Sequence, residues 1–367
     1  MNKQLWLLLF CSALLIGCNA DLGGGPGAAT AELSREINIY SWADYIPTEL
    51  IDAYEQANDV TINYDNYASN EELLAKLQAG VTGYDLVFPS DYMVRIMLDL
   101  DLLAEIDVND LANFGNVADT FTNPPYDPGN SHCVPYQWGT TGIAYRTDHP
   151  FFAQNPPDSW GYLFEPELLA QYEEAGINML GDQREVIGAA LIYLGYDYND
   201  TVPAHLNEAL ALLLRAKPYW KTISSHNYDD SLLVPGEVAL SHAWSGDAAA
   251  AYWKTIDEET GQSPWAYAIP KEGAARWVDN VCIPATSQNK EGALRFIDYL
   301  LQAENGAEIT NFTYFATPNE AATPFILEEI KNDPGIYPPQ AVMDKLVLTE
   351  VNDEAVALYN EIWTVVR

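Results

Sequence analysis

The sequence predicts an α/β protein with two lobes, each built on a mainly parallel sheet flanked by helices. Strand-like and helix-like segments alternate along the chain, and this order is typical of parallel sheets with helices on both faces. The length of 367 residues is too great for one ordinary domain and suits two. Apolar residues make up 48% of the chain, which is enough to build sizeable cores.

The first hundred residues carry three strand patterns, and each is followed by a helix pattern. The strands are predicted over residues 37–40, 60–64 and 85–88, and the helices over 48–56, 70–79 and 90–98. Asn70 is expected to cap the second helix, because Glu71 and Glu72 follow in its first turn. Ligands on such sheets bind beyond the carboxyl ends of the strands, where loops enter helices.

The rest of the chain continues the α/β pattern. An extended stretch over residues 135–145 suits a crossing to the second lobe, and a Pro-rich loop covers 155–160. Helices are predicted over 185–194, 205–216, 248–256 and 290–301, with a strand beginning at Ile283. The chain is therefore expected to enter the two sheets more than once.

The first 18 residues have the pattern of an export signal. Lys3 precedes an apolar run that is too short to span a bilayer, and residues 15–18 (LIGC) resemble the lipobox of bacterial lipoproteins. In that family the Cys sulfur carries a diacylglycerol; an ordinary secretory signal cut elsewhere is the alternative. Residues 19–35 are rich in Gly and Ala and predict a flexible tether. We therefore expect a periplasmic protein, held at a bacterial membrane only by lipid on Cys18.

The charge of the chain is strongly negative. There are 53 Asp and Glu against 17 Lys and Arg, a net charge of −36. No basic surface is available to neutralise phosphates, which argues against nucleic acid and against anionic membrane surfaces as partners. A cationic ligand fits this balance, and a solvated acidic surface is the plain alternative.

Cysteine and histidine usage gives little support for a metal or a cofactor. Cys11 leaves with the signal, so Cys133 and Cys282 remain; they could form one disulfide or stay as buried free thiols. The sequence contains no C-x-x-C, H-E-x-x-H, P-loop, G-x-G-x-x-G or G-x-S-x-G pattern. We expect no metal site and no cofactor.

Seven segments, taken together and in order, resemble the spermidine/putrescine-binding proteins of polyamine ABC importers. They are residues 40–47, 84–92, 135–142, 184–186, 243–247, 270–279 and 289–293. The resemblance covers roughly residues 37–367. It implies the two-lobed type II periplasmic-binding fold with a hinge of crossing strands, no enzymatic activity, and ABC permease subunits as partners. We expect a monomer.

The resemblance also implies the division of the chain into lobes. Residues 36–139 and 278–321 would form the first lobe, and residues 140–277 and 322–367 the second. Cys133 and Cys282 would then be near neighbours at the hinge, and we predict a disulfide between them.

A polyamine site has clear chemical requirements. Ammonium groups separated by methylenes need carboxylates to replace their hydration, and aromatic walls bury the methylenes and face the cations. The chain supplies aromatic residues next to acids: Tyr45 beside Asp44, Trp244 before Asp247, and Trp277 before Asp279.

Carried over position by position, the family's ligand contacts fall on twelve residues. They are Trp42, Asp44, Tyr45, Ser90, Tyr92, Asp182, Glu185, Trp244, Asp247, Trp277, Asp279 and Phe315. Two positions depart from the family. Ala43 stands where members often present a hydroxyl, and the family's later aromatic wall could fall on Tyr314 or on Phe315, which has no phenol.

Most of these residues also have a purely structural explanation. Asp44, Asp182 and Asp247 could be helix caps, and Asp182 with Glu185 fits a capping box. Ser90 and Tyr92 could serve in capping and in core packing. Asp279 could lie on an exposed edge strand.

Two other functions stay open beside polyamine binding. A receptor of the same fold could bind another small solute. Amino-acid receptors, however, use an Arg to bind the carboxylate of the ligand, and only Arg184 accompanies these acids. A sugar-acting enzyme could use paired carboxylates. Within polyamines, the WSGD form at 244–247 is similar to the putrescine-preferring members, so we expect both putrescine and spermidine to bind, putrescine at least as tightly.

Overall fold

The computed structural model of the chain describes residues 34–350 and 353–367. The predicted signal over residues 1–18, with Cys18, and the tether apart from its last two residues lie outside the described residues. Within the described part, no helix is both long enough and apolar enough to cross a bilayer.

Ten strands in the described residues form one mixed sheet. They are β1 (Glu36–Ser41), β2 (Thr61–Asn66), β3 (Leu86–Val87), β4 (Cys133–Arg146), β5 (Ile177–Met179), β6 (Thr222–Ile223), β7 (Leu240–Trp244), β8 (Trp265–Ala268), β9 (Ala274–Cys282) and β10 (Leu346–Val347).

Thirteen α-helices in the same residues surround the sheet. They are α1 (Thr48–Asn58), α2 (Asn70–Gln78), α3 (Asp91–Asp99), α4 (Gly161–Phe164), α5 (Pro166–Leu169), α6 (Gln183–Tyr193), α7 (Pro203–Ala216), α8 (Ser245–Lys254), α9 (Lys290–Leu300), α10 (Ala303–Thr313), α11 (Glu328–Lys331), α12 (Gln340–Met343) and α13 (Asp353–Val366).

The sheet has two parallel flanks joined by an antiparallel centre. Its order is β2-β1-β3-β9-β4-β7-β5-β6, with β10 paired to β9 and β8 paired to β4. The pairs within β2-β1-β3 and within β7-β5-β6 are parallel, whereas β9 is antiparallel to both β3 and β4. Each flank is thus the parallel α/β unit that the alternation of elements predicted.

Strand β4 connects the two flanks. Its first part, from Cys133 to Thr140, pairs with β9, and its second part, from Thr141, pairs with β7 and β8. This strand is the extended crossing predicted over residues 135–145. Cys133 lies opposite Cys282 in the β4–β9 register, their Cα atoms are 4.5 Å apart, and a disulfide joins them.

Separate apolar cores lie under the two flanks. One is built around the helices α6, α7 and α13, with Ile187, Leu212 and Ile362 among its members. Two others lie around β1 and β3. A fourth apolar cluster contains residues from both sides of the lobe boundary expected at residue 321: Ala307 and Ala316 before it, and Ile326 and Ile330 after it. The lobe boundaries stay a prediction.

Two local predictions are wrong. The cap of α2 is Ser69, whose Oγ accepts from the backbone N–H of Glu72 at 3.2 Å; Asn70 is the first helical residue and its side chain bonds Ser90 instead. The strand expected from Ile283 onward ends before that residue, because β9 finishes at Cys282.

Candidate functional site

A cavity of about 360 Å³ is lined by residues from both parallel flanks. All twelve residues predicted to contact a ligand line it, and Phe315 does so rather than Tyr314. Ser90 and Tyr92 follow β3, Asp182 follows β5 and Asp247 follows β7, so these loops enter their helices at the carboxyl ends of parallel strands.

Asp279 is the most deeply placed acid of the cavity. Asp279 is only 4% exposed, and the Tyr45 phenol donates a hydrogen bond to its Oδ2. Oδ1 is buried and has no hydrogen-bond partner within the described residues. Burial raises the pKa of Asp279 to about 6, and the hydrogen bond from Tyr45 opposes the shift. A carboxylate with one unpartnered oxygen in a cavity is suited to receive a cationic donor.

The edge-strand explanation of Asp279 is wrong. Strand β9 lies between β3 and β4 and is hydrogen-bonded to both, so Asp279 is in the interior of the sheet. Trp277, Asp279 and Val281 all lie on β9, at every second position.

Asp182 and Glu185 combine two roles. The Asp182 Oδ1 accepts from the backbone N–H of Arg184 at 2.9 Å and of Glu185 at 3.2 Å, which confirms it as the N-cap of α6. The Glu185 carboxylate accepts from the Tyr198 phenol at 3.0 Å. Burial, and then the neighbouring Asp182, raise the pKa of Glu185 to about 8. Both acids line the cavity, so capping and ligand contact are compatible here.

The helix-cap explanation is wrong for Asp247 and for Asp44. Helix α8 begins at Ser245, so Asp247 lies inside its first turn; its Oδ2 accepts from the Tyr228 phenol at 3.2 Å. Burial and the nearby Asp229 raise the pKa of Asp247 well above its usual range. Asp44 is exposed in the turn after β1 with φ of 51°, and α1 begins after Pro47 without a side-chain cap.

Ser90 and Tyr92 are fixed by neighbours on α2. The Ser90 Oγ accepts from Asn70 Nδ2 at 3.0 Å and does not cap α3, although Ser90 holds the cap position. Tyr92 is buried in a core cluster, and its phenol donates to the Glu71 carboxylate at 3.3 Å. The packing explanation of Tyr92 is therefore confirmed, and the residue lines the cavity as well.

Aromatic rings form the walls of the cavity. The centroids of Trp42 and Trp244 are 6.1 Å apart, and those of Trp277 and Phe315 are 5.1 Å apart. Such walls bury methylene groups and offer ring faces to cations. A Cβ atom at Gly246 would lie 2.4 Å from the Phe315 ring, so glycine is what allows this ring to lie against α8.

Sequence reasoning missed three charged residues that line the cavity: Asp229, Asp230 and Lys254. Both acids lie in a π-helical turn over Asp229–Leu233, and no sequence pattern predicted that turn. Lys254 follows Asp247 by seven residues in α8. This spacing places both side chains on the same face of the helix, and it could have identified Lys254 as a residue that lines the cavity.

The cavity is acidic overall. Seven carboxyl side chains and the two cations Arg184 and Lys254 stand among its described lining residues. The Arg184 guanidinium lies 4.4 Å from the centre of the Tyr92 ring, so it is held by an aromatic face. This balance favours a cationic ligand over an anionic one.

Comparison with known proteins assigns a family to this arrangement. The family model described as bacterial extracellular solute-binding protein matches residues 49–338. The chain is 37% identical over 329 residues to a putrescine-binding periplasmic protein of Pseudomonas aeruginosa, a match that covers 88% of the chain and 89% of the relative.

Solved structures agree with that match. A spermidine/putrescine ABC transporter substrate-binding protein from Streptococcus pneumoniae is 30% identical with a TM-score of 0.73, covering 91% of this chain and 98% of that one. A Treponema pallidum lipoprotein, TpPotD, is 29% identical with a TM-score of 0.76, covering 90% of this chain and 99% of that one.

Proposed function

Because the chain belongs to the bacterial extracellular solute-binding proteins, we propose that its cavity binds a polyamine and that the protein delivers it to an ABC permease. Putrescine and spermidine are the proposed ligands, since they are named for the relatives above. The protein would act by binding and release, without catalysing a reaction and without a cofactor.

The observation that carries the proposal is the environment of Asp279. Within the described residues one oxygen of this buried carboxylate has no hydrogen-bond partner, which suits it to a cationic donor, and the rings of Trp277 and Phe315 line the same cavity. An ammonium with an attached methylene chain satisfies both features, because its charge meets the carboxylate and its chain meets the rings.

The other acids extend the same chemistry along the cavity. Asp247 on α8 and Glu185 on α6 each accept a hydrogen bond from a tyrosine, and each is buried enough that its charge needs a partner. A flexible di- or triamine can reach several such carboxylates at once. An amino-acid ligand would need an Arg clamp for its carboxylate, and among the described lining residues seven carboxyl groups outnumber the two cations.

Calorimetric titration with putrescine and spermidine tests the proposal. We expect saturable binding at neutral pH, and we expect Asp279→Asn to weaken it by about a hundredfold or more. The matched control is Asp59→Asn, which removes a carboxylate that is 82% exposed at the surface, and it should bind as the parent does. The proposal fails if no di- or triamine binds or raises the melting temperature, or if a sugar or an amino acid does so instead.

The location of the protein is proposed on its N-terminal sequence. Lipid on Cys18 and the tether of residues 19–35 would hold a monomer in the periplasm at the membrane surface, with the lobes over residues 36–139 and 278–321 and over 140–277 and 322–367. The Treponema pallidum relative is itself named a lipoprotein. Cys18→Ser should move the protein from the membrane fraction to the soluble fraction, and retention in the membrane fraction would contradict the lipid anchor.

A further inference from the structure

One of the residues that line the cavity, Lys254, carries an ammonium group. The Lys254 Nζ lies 2.7 Å from Asp230 Oδ1 and 3.2 Å from Asp229 Oδ2, and all three residues line the cavity. Lys254 is on the same face of α8 as Asp247, two turns further along. The side chain is 41% exposed, so its charge is only partly screened by solvent.

The three carboxylates at the Lys254 end of the cavity differ in whether a cation contacts them. Asp229 and Asp230 share the Lys254 ammonium, whereas Asp247 accepts only the Tyr228 phenol among its side-chain contacts within the described residues. Asp229 is close enough to Asp247 to disfavour the charge of the Asp247 carboxylate. Among the described residues, Asp247 is therefore the carboxyl group at this end that has no cation in direct contact, although three carboxyl groups are gathered there.

We propose that Lys254 determines ligand specificity: by neutralising Asp229 and Asp230 it leaves only Asp247 for a ligand ammonium at this end, and so favours diamines over triamines. This inference rests on the proposed function of the same cavity. An ammonium that enters the cavity loses hydration and needs an unpaired carboxylate in return. With Lys254 in place, a second ammonium at this end of the cavity would face a positive neighbour instead, and this repulsion discriminates against the longer ligand.

Removal of the lysine charge should open a further ammonium position. Lys254→Met keeps most of the aliphatic stem and leaves Asp229 and Asp230 without their shared cation. A triamine carries the extra charge that can occupy this place, and a diamine that is already held at both ends does not. The change in the ratio of the two affinities, rather than in either affinity alone, is the diagnostic quantity.

The test is calorimetric titration of parent, Lys254→Met and two controls with putrescine and spermidine. We expect the spermidine-to-putrescine affinity ratio to rise at least tenfold in Lys254→Met. Lys254→Arg keeps the cation and should retain the parental ratio. Lys271→Met should also retain it, because Lys271 pairs with Asp158 at the surface and does not line the cavity.

The outcomes separate this inference from the function on which it rests. A parent that binds neither amine would overturn the proposed function. A parent that binds, together with an unchanged ratio in Lys254→Met, would overturn the role of Lys254 alone. If Lys254→Met fails to fold by circular dichroism, Lys254→Gln replaces it, and the same rise in the ratio is required of it.

Discussion

The Tyr45 phenol donates a hydrogen bond to Asp279 from a position 234 residues away in sequence. It occupies Oδ2, and Oδ1 has no hydrogen-bond partner in the part of the chain that the structure describes. Tyr45 thus fixes the orientation of the carboxylate, and the remaining oxygen is the one that we propose contacts the ligand. The position of this acceptor therefore depends on two distant segments, the loop after β1 that carries Tyr45 and the central strand β9 that carries Asp279.

Tyr45→Phe should weaken putrescine binding by about tenfold, because a hydrogen bond to a charged group contributes about 1.5–3 kcal/mol and part of this is lost with the phenol. Calorimetry measures the effect. The matched control is Tyr84→Phe, which removes a phenol that donates to Asp65 at the surface at 2.7 Å. Equal affinity of Tyr45→Phe and the parent would show that Asp279 needs no orienting partner.

Ligand binding should strengthen as the pH rises. Burial raises the pKa of Asp279 to about 6 and, with Asp182 beside it, that of Glu185 to about 8. An ammonium binds the ionised carboxylate, so protonation below these values competes with the ligand.

The stability of the ligand-free protein should change in the opposite direction. A carboxyl group whose pKa is raised by folding stabilises the fold below its unfolded pKa, and this contribution is lost as the pH rises through the folded pKa. From about pH 5 to about pH 9 the melting temperature without ligand should therefore fall, while the increase caused by putrescine should grow. A ligand-induced increase that is constant over this interval would contradict the assignment of these acids to the site.

The parallel flanks could be predicted from sequence because their elements have local signals. Strand β1 and helix α1 lie within two residues of their predicted ends, since short alternating runs and a helical period identify them without reference to the rest of the chain. Positions set by tertiary contact could not be predicted in this way. Ser69 and Asn70 are both good capping residues, and the bond from Asn70 to Ser90 decides between them.

Among the charged residues of the candidate site, some could likewise be predicted from the local sequence and others could not. Asp247 and Asp279 could be identified from the sequence because each has a tryptophan two or three residues ahead of it. That Asp247 is not a cap depends on α8 beginning two residues earlier, at Ser245, which its Ala-rich sequence does not specify. Lys254, Asp229 and Asp230 meet only through the packing of a π-helical turn against α8, and no pattern in the sequence links them.

Gly246→Ala should reduce ligand affinity by about tenfold or more without unfolding α8. The added Cβ would lie 2.4 Å from the Phe315 ring, closer than real Cβ contacts, so the ring must shift from its place against Trp277. Calorimetry with putrescine and a helical circular dichroism spectrum give the two readouts. Gly115→Ala is the control, because no described residue other than its chain neighbours has an atom within 4 Å of the Cβ position there. Full affinity in Gly246→Ala would show that the Phe315 wall is not required.

Asp247→Ser should shift the preference toward spermidine. Without this carboxylate a short diamine keeps one unpaired ammonium, whereas a triamine can still reach Asp182 and Glu185. We expect the putrescine affinity to fall by about tenfold or more and the spermidine affinity to fall less. Competitive titration of parent and variant gives the ratio. An unchanged ratio would mean that Asp247 does not hold a ligand ammonium.

The pairing of Cys133 with Cys282 gives the last prediction. The two residues are fully buried on neighbouring strands, and the bond closes a loop across a sequence separation of 149 residues. In the chain-entropy model, closing a loop of this length stabilises the folded state by about 4–5 kcal/mol, mainly by restricting the unfolded chain. We therefore expect a reducing agent to lower the melting temperature of the parent and to leave that of the Cys133→Ala/Cys282→Ala double variant unchanged. Thiol titration of unfolded, unreduced mature protein provides the direct measurement: no reactive thiol is expected from this pair, and two per chain would reject the bridge.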